Sequence, residues 1–213
     1  MTSAVLPCRP LVLATLNPGK VRELQALLGG VPFAIRPLAD YPGATLPEET
    51  ETSYRGNALL KARAAARLTC SWALADDSGL EVDALDGAPG IHSARYGGPG
   101  LDDAGRCARL LAALRAVPDD RRTARFRCVM AIVDDAGRES VVEGLVEGVI
   151  TRAPSGTGGF GYDSLFYYPP LARTFGELTD AEKEGVSHRA RAAALAKRVL
   201  TLSVDRARRY PLT

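Results

Sequence analysis

Two adjacent carboxylates, Asp76 and Asp77, stand in the stretch ADDSGL, directly after an apolar run that is typical of a buried strand. Ligands of open α/β sheets collect at the carboxyl ends of strands, so this pair is a candidate binding site. Neighbouring carboxylates repel each other unless a cation neutralises them, which makes Mg²⁺ a natural partner. The alternative interpretation is a polar turn in which an aspartate caps the backbone before Gly79.

Further hard oxygen ligands are offered by three glutamates of the acidic segment PEETET, namely Glu48, Glu49 and Glu51. A solvated acidic loop is the competing interpretation, and for Glu51 it is the better one. An Ala-rich helix is predicted next, over about residues 53–69, and it places Asn57 and Lys61 one turn apart on the same face.

The segment TLNPGK, residues 15–20, lies between a predicted strand and a predicted helix. Backbone N–H groups at the helix start, the Asn17 amide and the Lys20 ammonium would together suit a phosphate. The segment is not a Walker A loop, because Val21 follows the lysine where Ser or Thr is required. An ordinary turn between strand and helix is the alternative interpretation.

The stretch GTGGFGYD, residues 156–163, matches the letters G-x-G-x-x-G of a dinucleotide-binding loop. That fingerprint should follow the first strand and open a helix. This stretch lies late in the chain, and the sequence YDSLFYYPP after it indicates strand and turn, so a dehydrogenase is a poor interpretation. The loop instead presents Phe160 for stacking on a base and Asp163 for reading its polar edge. The alternative is a tight turn whose aromatic residues join the core.

His188 and Arg189 are neighbours near a predicted helix start, and the chain has only two histidines. Both side chains can donate hydrogen bonds to a base or a phosphate. A solvent-exposed helical pair is the alternative interpretation and is equally consistent with the residues alone.

The composition bounds the class of protein. The 213 residues, 46% of them hydrophobic, predict one α/β domain over residues 1–213, with two lobes around a cleft. The formal net charge is only +2, so the chain as a whole does not attract nucleic acid or membranes strongly. Neither is expected as a stable partner. The apolar run at residues 11–14 is too short for a signal sequence or a membrane span. Four scattered cysteines without a C-x-x-C pair indicate a reduced, cytoplasmic protein.

The elements that must position these groups alternate along the chain. Strands are predicted at RPLVLAT, at PFAIRPL and at CSWALADDSGL, which ends in the carboxylates. Helices are predicted at VRELQALLGG, over residues 102–117, and from about Thr179 into the C-terminus. Residues 124–150 predict a long antiparallel hairpin that turns at residues 134–137. The pattern predicts a mixed sheet flanked by helices.

Six stretches, in this order, resemble the inosine triphosphate pyrophosphatase family, the bacterial dITP/XTP pyrophosphatases that remove deaminated purine nucleotides. They are TLNPGK, PEET, GNALLKA, LADDSGLEVDALDGAPGIHSARY, GTGGFGYDSLF and LTDAEKEGVSHR, and they span residues 15–189. The resemblance implies a homodimeric α/β enzyme with an elongated mixed β-sheet flanked by helices and an active-site cleft between two lobes. It also implies Mg²⁺-dependent hydrolysis of dITP, ITP and XTP or dXTP to the monophosphate and pyrophosphate.

The resemblance also implies site residues. Asp77 matches the general base and a metal ligand, and Glu48 matches the metal-ligand glutamate. Asp76 and Lys61 would assist catalysis, and Ser78 would contact the substrate. The triphosphate positions are Thr15, Leu16, Asn17, Pro18, Gly19, Lys20 and Asn57. The base-recognition positions are Phe160, Gly161, Tyr162, Asp163, Lys183, His188 and Arg189.

Three positions depart from the family pattern. Leu16 stands where the family often has Gly, so the backbone approach to the phosphates differs there. Gly56 stands where some relatives carry Glu, which removes one possible ligand. PEETET lacks the Gly often found after Glu-Glu-Thr, so the choice between Glu48 and Glu49 as metal ligand stays open.

Selectivity and rival functions follow from the same groups. Hypoxanthine and xanthine present a 6-keto acceptor whereas adenine presents an amino donor, so donors from His188, Arg189 or the loop backbone would reject adenine. The rivals are a nicotinamide oxidoreductase, a nucleotide-sensing or RNA-binding module without need of the Asp76–Asp77 pair, and a house-cleaning pyrophosphatase for other modified nucleotides.

Overall fold

The computed structural model describes residues 9–209, in which a single mixed sheet is flanked by α-helices. The strands are β1 (Arg9–Leu13), β2 (Phe33–Pro37), β3 (Trp72–Val82), β4 (Thr123–Val133), β5 (Glu139–Ile150), β6 (Phe166–Tyr168) and β7 (Arg173–Thr174). The α-helices are α1 (Pro18–Leu27), α2 (Tyr54–Thr69), α3 (Asp103–Ala113), α4 (Asp180–Val186) and α5 (His188–Arg209). The strand order is β2-β1-β3-β4-β5-β6-β7, which confirms the predicted mixed sheet.

The sheet changes from parallel to antiparallel at β3. Strand β1 pairs in parallel with β2 and with the first residues of β3, where the last pair is Leu13 with Leu74. Strand β4 pairs antiparallel with β3 from Val82 back to Ala73. The prediction that the third strand ends in the carboxylates is therefore wrong, because the ladder with β4 carries it to Val82. The carboxylates lie just beyond the point where β1 leaves β3.

Two lobes meet along β3. In the first lobe, alternate residues of β1 and β3 face α1 and α5 on one side of the sheet (Leu13, Leu74) and α2 on the other (Val12, Ala73). The second lobe packs α3 against the far end of the sheet around an aromatic cluster that includes Phe126. The residues of β3 between these cores are polar, which leaves the seam open for a site.

The long hairpin of β4 and β5 is confirmed, with its turn at residues 134–137. Two helix predictions were too long. The helix predicted over residues 102–117 ends at Ala113, followed by a C-cap at Leu114. The last helix is interrupted at Ser187, whose extended backbone (ψ 158°) separates α4 from α5. That break starts α5 at His188.

The first turn of α5 packs very closely against strand β5. A Cβ at Gly144 would lie 2.2 Å from the carbonyl oxygen of His188 and 2.4 Å from the backbone nitrogen of Ala192. Only a glycine on β5 therefore lets the first turn of α5 lie this close to the sheet.

Three cysteines in the described residues, Cys70, Cys107 and Cys128, are free thiols, and Cys8 lies outside those residues. Within residues 9–209 there is no helix with the length and apolar character that a membrane crossing needs.

Candidate active site

The start of α1 is capped by its own sequence. The Asn17 side chain accepts hydrogen bonds from the backbone N–H groups of Gly19 (2.8 Å) and Lys20 (3.1 Å). Its backbone is extended (φ −81°, ψ 115°), as expected for an N-cap. Pro18 in the first turn fits, because that position needs no N–H donor. Two of the N–H groups expected to face a phosphate are thus bonded to Asn17, while the cationic side chains of Lys20 and Arg22 line the cavity.

Asp76 is a buried anchor for cations. It is 1% exposed and lies 3.0 Å from Lys20 Nζ and 3.1 Å from Arg189 Nη2. Burial opposes ionisation of this carboxyl, but Lys20, Arg189 and Lys61 outweigh it and hold its pKa well below the usual range. Asp76 does not line the cavity, so its position supports an electrostatic role in holding Lys20 and Arg189.

Asp77 has the opposite electrostatic setting. Burial and the neighbouring carboxylate of Glu49 raise its pKa, while Lys61, 3.7 Å away, opposes the rise. Its Oδ2 accepts a hydrogen bond from Asn57 Nδ2 at 3.1 Å, and its Oδ1 accepts the Ser78 N–H at 3.1 Å. A buried carboxylate with a raised pKa at a cavity wall is suited to accept a proton.

Asn57 and Lys61 come from α2, as the helical spacing predicted. Asn57 is fully buried, and besides its bond to Asp77 its Oδ1 accepts the Glu51 N–H at 3.0 Å. It does not line the cavity and lies behind Asp77, so its predicted contact with the triphosphate stays a prediction. Three carboxylates, Asp76, Asp77 and Glu49, raise the pKa of Lys61 against its burial, and its ammonium stays charged.

Glu49, rather than Glu48, is the glutamate beside Asp77. Glu49 lines the cavity, accepts a hydrogen bond from Lys61 Nζ at 2.6 Å and lies 3.3 Å from Arg95 Nη1. Glu48 is exposed and lies outside the cavity lining. The two glutamates are neighbours in the irregular segment before α2, and of the two only Glu49 lines the cavity with Asp77.

The glycine-rich loop forms the opposite wall. Asp163 Oδ2 accepts hydrogen bonds from the Phe160 N–H (2.9 Å) and from Lys183 Nζ (2.7 Å), and Lys183 Nζ lies 4.8 Å from the centre of the Phe160 ring. Gly159 makes this turn possible, because its φ is +71° and a Cβ there would lie 2.1 Å from Asp163 Oδ2. As predicted, no helix follows this loop; β6 does.

His188 and Arg189 begin α5 and are both buried. Burial first, then the charges of Arg189 and Lys183, lower the His188 pKa well below 6.5, so the imidazole is neutral at pH 7. Its ring stacks on Phe126 with centroids 4.7 Å apart, and its Nδ1 has no hydrogen-bond partner in the described part of the chain. The Arg189 guanidinium is bonded to Asp76, Glu23 and Ser78.

These groups surround a cavity of about 490 Å³ in the seam between the lobes. Most predicted site residues line it, namely Asn17, Pro18, Gly19, Lys20, Asp77, Ser78, Phe160, Gly161, Tyr162, Asp163, Lys183, His188 and Arg189. Six predicted residues do not, namely Thr15, Leu16, Glu48, Asn57, Lys61 and Asp76. Leu16 is 54% exposed, and the Thr15 hydroxyl accepts the Asn17 N–H at 3.2 Å.

Sequence reasoning missed several residues near the cavity, with Glu23, Asp103 and Arg106 among them. Glu23 on α1 accepts hydrogen bonds from Lys183 Nζ at 2.7 Å and from Arg189 Nη1. Its spacing of three residues from Lys20 on one helix was a signal for it. Asp103 and Arg106 on α3 also line the cavity, and no motif in the sequence indicated them.

The model of the Ham1 family matches residues 11–199, which covers all of the site. The chain belongs to the Ham1 family. Among curated relatives, the dITP/XTP pyrophosphatase of Desulforamulus reducens is 51% identical over 190 residues, 89% of this chain and 94% of the relative. The dITP/XTP pyrophosphatase of Escherichia coli is 49% identical over 186 residues, 86% of this chain and 94% of the relative.

Solved structures carry the same fold. A HAM1 protein from Coxiella burnetii superposes with a TM-score of 0.83 at 41% identity, covering 91% of this chain and 98% of the other. A nucleoside-triphosphatase, or dITP/XTP pyrophosphatase, from Mycobacterium abscessus superposes with a TM-score of 0.71 at 45% identity, covering 88% and 98%. The open seven-stranded sheet is therefore the Ham1 architecture.

The carboxylates of this Ham1 member suit a metal that is shared with a substrate. Within residues 9–209, no three or more His, Cys, Asp and Glu side chains group closely enough to hold a metal alone. Asp77 and Glu49 nevertheless both line the cavity and interact electrostatically. Mg²⁺ is usually bound by one or two carboxylates, waters and the phosphates of its substrate, and a pair of carboxylates fits that pattern.

Proposed function

We propose that the chain hydrolyses nonstandard purine nucleoside triphosphates (dITP, ITP, XTP and dXTP) to the monophosphate and pyrophosphate, which keeps them out of nucleic acid. The observation that carries the proposal is one cavity with cationic, carboxylate and aromatic walls: Lys20 at the start of α1, Asp77 with Glu49, and Phe160 with His188. The name dITP/XTP pyrophosphatase, which the curated relatives share, agrees with it.

In the proposed reaction, the oxygen of a water molecule attacks the α-phosphorus of the triphosphate. The bond from that phosphorus to the oxygen bridging to the β-phosphate breaks, and pyrophosphate leaves. Asp77 orients the water and accepts its proton, and Asn57 holds the Asp77 carboxylate through Oδ2. Lys20, which lines the cavity, offsets the negative charge of the phosphates, and Lys61 adds positive charge behind Asp77 and Glu49.

Asp77 and Glu49 would hold Mg²⁺ together with phosphate oxygens, in place of the predicted pair of Asp77 and Glu48. The metal, when bound, supplies positive charge to the phosphates. Lys61 lies between the two carboxylates, 2.6 Å from Glu49 Oε1 and 3.7 Å from Asp77 Oδ1. Its ammonium thus reduces their mutual repulsion in the free protein.

Base selectivity would depend on His188 more than on Arg189. The Arg189 guanidinium already donates to Asp76, Glu23 and Ser78. Within residues 9–209 the Nδ1 of the neutral His188 imidazole has no hydrogen-bond partner, and His188 lines the cavity, so the imidazole would donate to a 6-keto oxygen. Adenine would bring an amino donor to the same place, and the buried groups would lack a partner.

The test is pyrophosphate release from ITP, dITP, XTP, GTP, ATP and dUTP in the presence of Mg²⁺. We expect ITP, dITP and XTP to be turned over and EDTA to abolish the reaction. Comparable kcat/KM for ITP and ATP would contradict the proposal. Turnover confined to dUTP would instead favour a pyrophosphatase for other modified nucleotides.

The assembly and setting are part of the same proposal. We infer one functional domain over residues 1–213, acting as a homodimer in the cytoplasm without a stable nucleic-acid partner. Free thiols at Cys70, Cys107 and Cys128 agree with a reducing compartment. Light scattering after size exclusion tests the dimer, since a monomeric mass would contradict it.

A further inference from the structure

The first two turns of α3 form a third wall of the cavity. Asp103 and Arg106 both line it, and Arg106 Nη1 lies 3.2 Å from Asp103 Oδ1. Asp103 Oδ2 also accepts the Gly161 N–H at 2.7 Å. Helix α3 is thus tied to the loop that carries Phe160, and Arg106 stands beside that loop.

The guanidinium of Arg106 is only partly satisfied in the free protein. Among the residues that the structure describes, its buried Nε has no hydrogen-bond partner, whereas the side chain as a whole is 20% exposed. Lys183 and Arg189 differ, because each of them is held by two carboxylates. A buried donor of a charged group that lacks an acceptor carries a large cost, and the exposed part of this guanidinium lines the cavity, where a bound oxygen would add an acceptor to the single carboxylate of Asp103.

We propose that Arg106 is a further substrate-binding residue, whose guanidinium donates a hydrogen bond to an oxygen on the nucleoside half of the substrate. This inference rests on the proposed function. The nucleoside half is favoured because Arg106 is linked through Asp103 to Gly161 on the proposed base loop, whereas Lys20 and Asp77 mark the phosphate half. The acceptor is an oxygen of the ribose or the C2 oxygen of xanthine, and the kinetics below separate the two.

The experiment compares steady-state kinetics of the full chain and Arg106→Ala with ITP and with XTP. We expect KM to rise by about tenfold or more, the scale of one hydrogen bond from a charged donor, with kcat changed much less. A rise for both substrates identifies a ribose oxygen, and a rise for XTP alone identifies the C2 oxygen. Arg106→Lys should restore part of the loss, because an ammonium keeps the charge and one donor.

Inorganic tripolyphosphate, as a competitive inhibitor, reports on the phosphate half alone, and its inhibition constant should not change in Arg106→Ala. A parallel rise of that constant would assign Arg106 to the phosphates and overturn the proposal, as would an unchanged KM for both nucleotides. Arg109→Ala is the matched control, since it removes an exposed arginine one turn later on α3 and should leave the kinetics unchanged.

The variant Asp103→Asn tests whether Arg106 binds the substrate directly or only holds the glycine-rich loop in place. That variant keeps an oxygen for the Gly161 N–H but removes the carboxylate that faces Arg106, and it should raise KM less than Arg106→Ala does. An equal loss would make Arg106 a positioning residue only. An inactive wild-type chain would instead contradict the proposed function itself, whereas an active wild type with an unaffected Arg106→Ala contradicts only this inference.

Discussion

Asp76 and Asp77 are neighbours on β3, yet their side chains face opposite sides of the sheet and acquire opposite properties. Asp76 meets Lys20 and Arg189 from α1 and α5, and its pKa falls. Asp77 meets α2 and the carboxylate of Glu49, and its pKa rises. Strand alternation therefore separates an anchor for cations from a proton acceptor within two consecutive residues.

Replacement of the proton acceptor tests the proposed chemistry. Asp77→Asn should lower kcat for ITP by about 10² or more, because an amide cannot accept the proton from water. The measurement is pyrophosphate release at saturating Mg²⁺. Asp135→Asn, in the exposed turn of the long hairpin, is the control and should retain full turnover. Near-normal turnover of Asp77→Asn would remove Asp77 from this role.

Replacement of the anchor tests the electrostatics of the interior. Asp76→Asn should cost about 3–5 kcal/mol in the free energy of unfolding at about pH 7, because it leaves Lys20 and Arg189 without their buried partner. The folded pKa of Asp76 lies below its ordinary value of 3.8, so its stabilisation is complete above that value and declines as the pH falls. Denaturant unfolding should therefore show a smaller difference between wild type and variant at about pH 3 than at about pH 5. A constant difference would contradict this assignment.

At the scale of elements, the glycine-rich loop shows which part of a motif has a function. Two of the three fingerprint glycines, Gly156 and Gly161, have positive φ (80° and 64°), but Gly159 stands closest to a site residue. The turn that Gly159 allows lets Asp163 Oδ2 accept hydrogen bonds from the Phe160 N–H and from Lys183 Nζ. The similarity to a dinucleotide-binding loop is therefore limited to the sequence pattern, since the glycines here form a turn before a strand.

Substitution of Gly159 should separate the effect of backbone strain from the effect of losing the contact between Asp163 and Lys183. Gly159→Ala places a Cβ 2.1 Å from Asp163 Oδ2, which displaces the carboxylate from Lys183. We expect kcat/KM for ITP to fall by about tenfold or more, while inhibition by tripolyphosphate persists, because the α1 turn is unaffected. Gly137→Ala is the matched control, since its φ is also positive (+80°) but nothing lies within 4 Å of the added Cβ. Both variants should lose about 1–2 kcal/mol of stability from the backbone strain of a Cβ at positive φ. Equal kinetics for the two would show that the Asp163 contact has no role.

Local pattern predicted most of the elements and much of the site. Helical spacing predicted the start of α2, and turn residues predicted the long hairpin. Strand composition predicted that no helix follows the glycine-rich loop. The continuation of β3 to Val82 was not predicted, because it depends on pairing with β4, which is a tertiary contact. Glu49 and Arg106 also depended on how α2 and α3 pack, which a local pattern does not contain.

At the scale of the whole molecule, β3 passes through both lobes and carries the site at their seam. The strand ladders of β3, β4 and β5 run through both lobes, and polar contacts along the seam add to this link. The chain from Asp163 through Lys183, Glu23 and Arg189 to Asp76 is one such link. A ligand that fills the cavity contacts both lobes and should stabilise the fold as a whole.

That coupling gives a test of the metal ligands that does not need turnover. Mg²⁺ with an α,β-methylene analogue of ITP should raise the Tm of the wild-type chain, because both bind only the folded cavity. Glu49→Gln should lose most of the Mg²⁺-dependent part of this rise, since it removes a carboxylate that lines the cavity beside Asp77. Glu48→Gln, one residue away and exposed, removes the same charge from the same loop and should keep the rise. The reverse result, with loss in Glu48→Gln and retention in Glu49→Gln, would contradict the placement of Glu49 at the metal and restore the glutamate that the family resemblance implied.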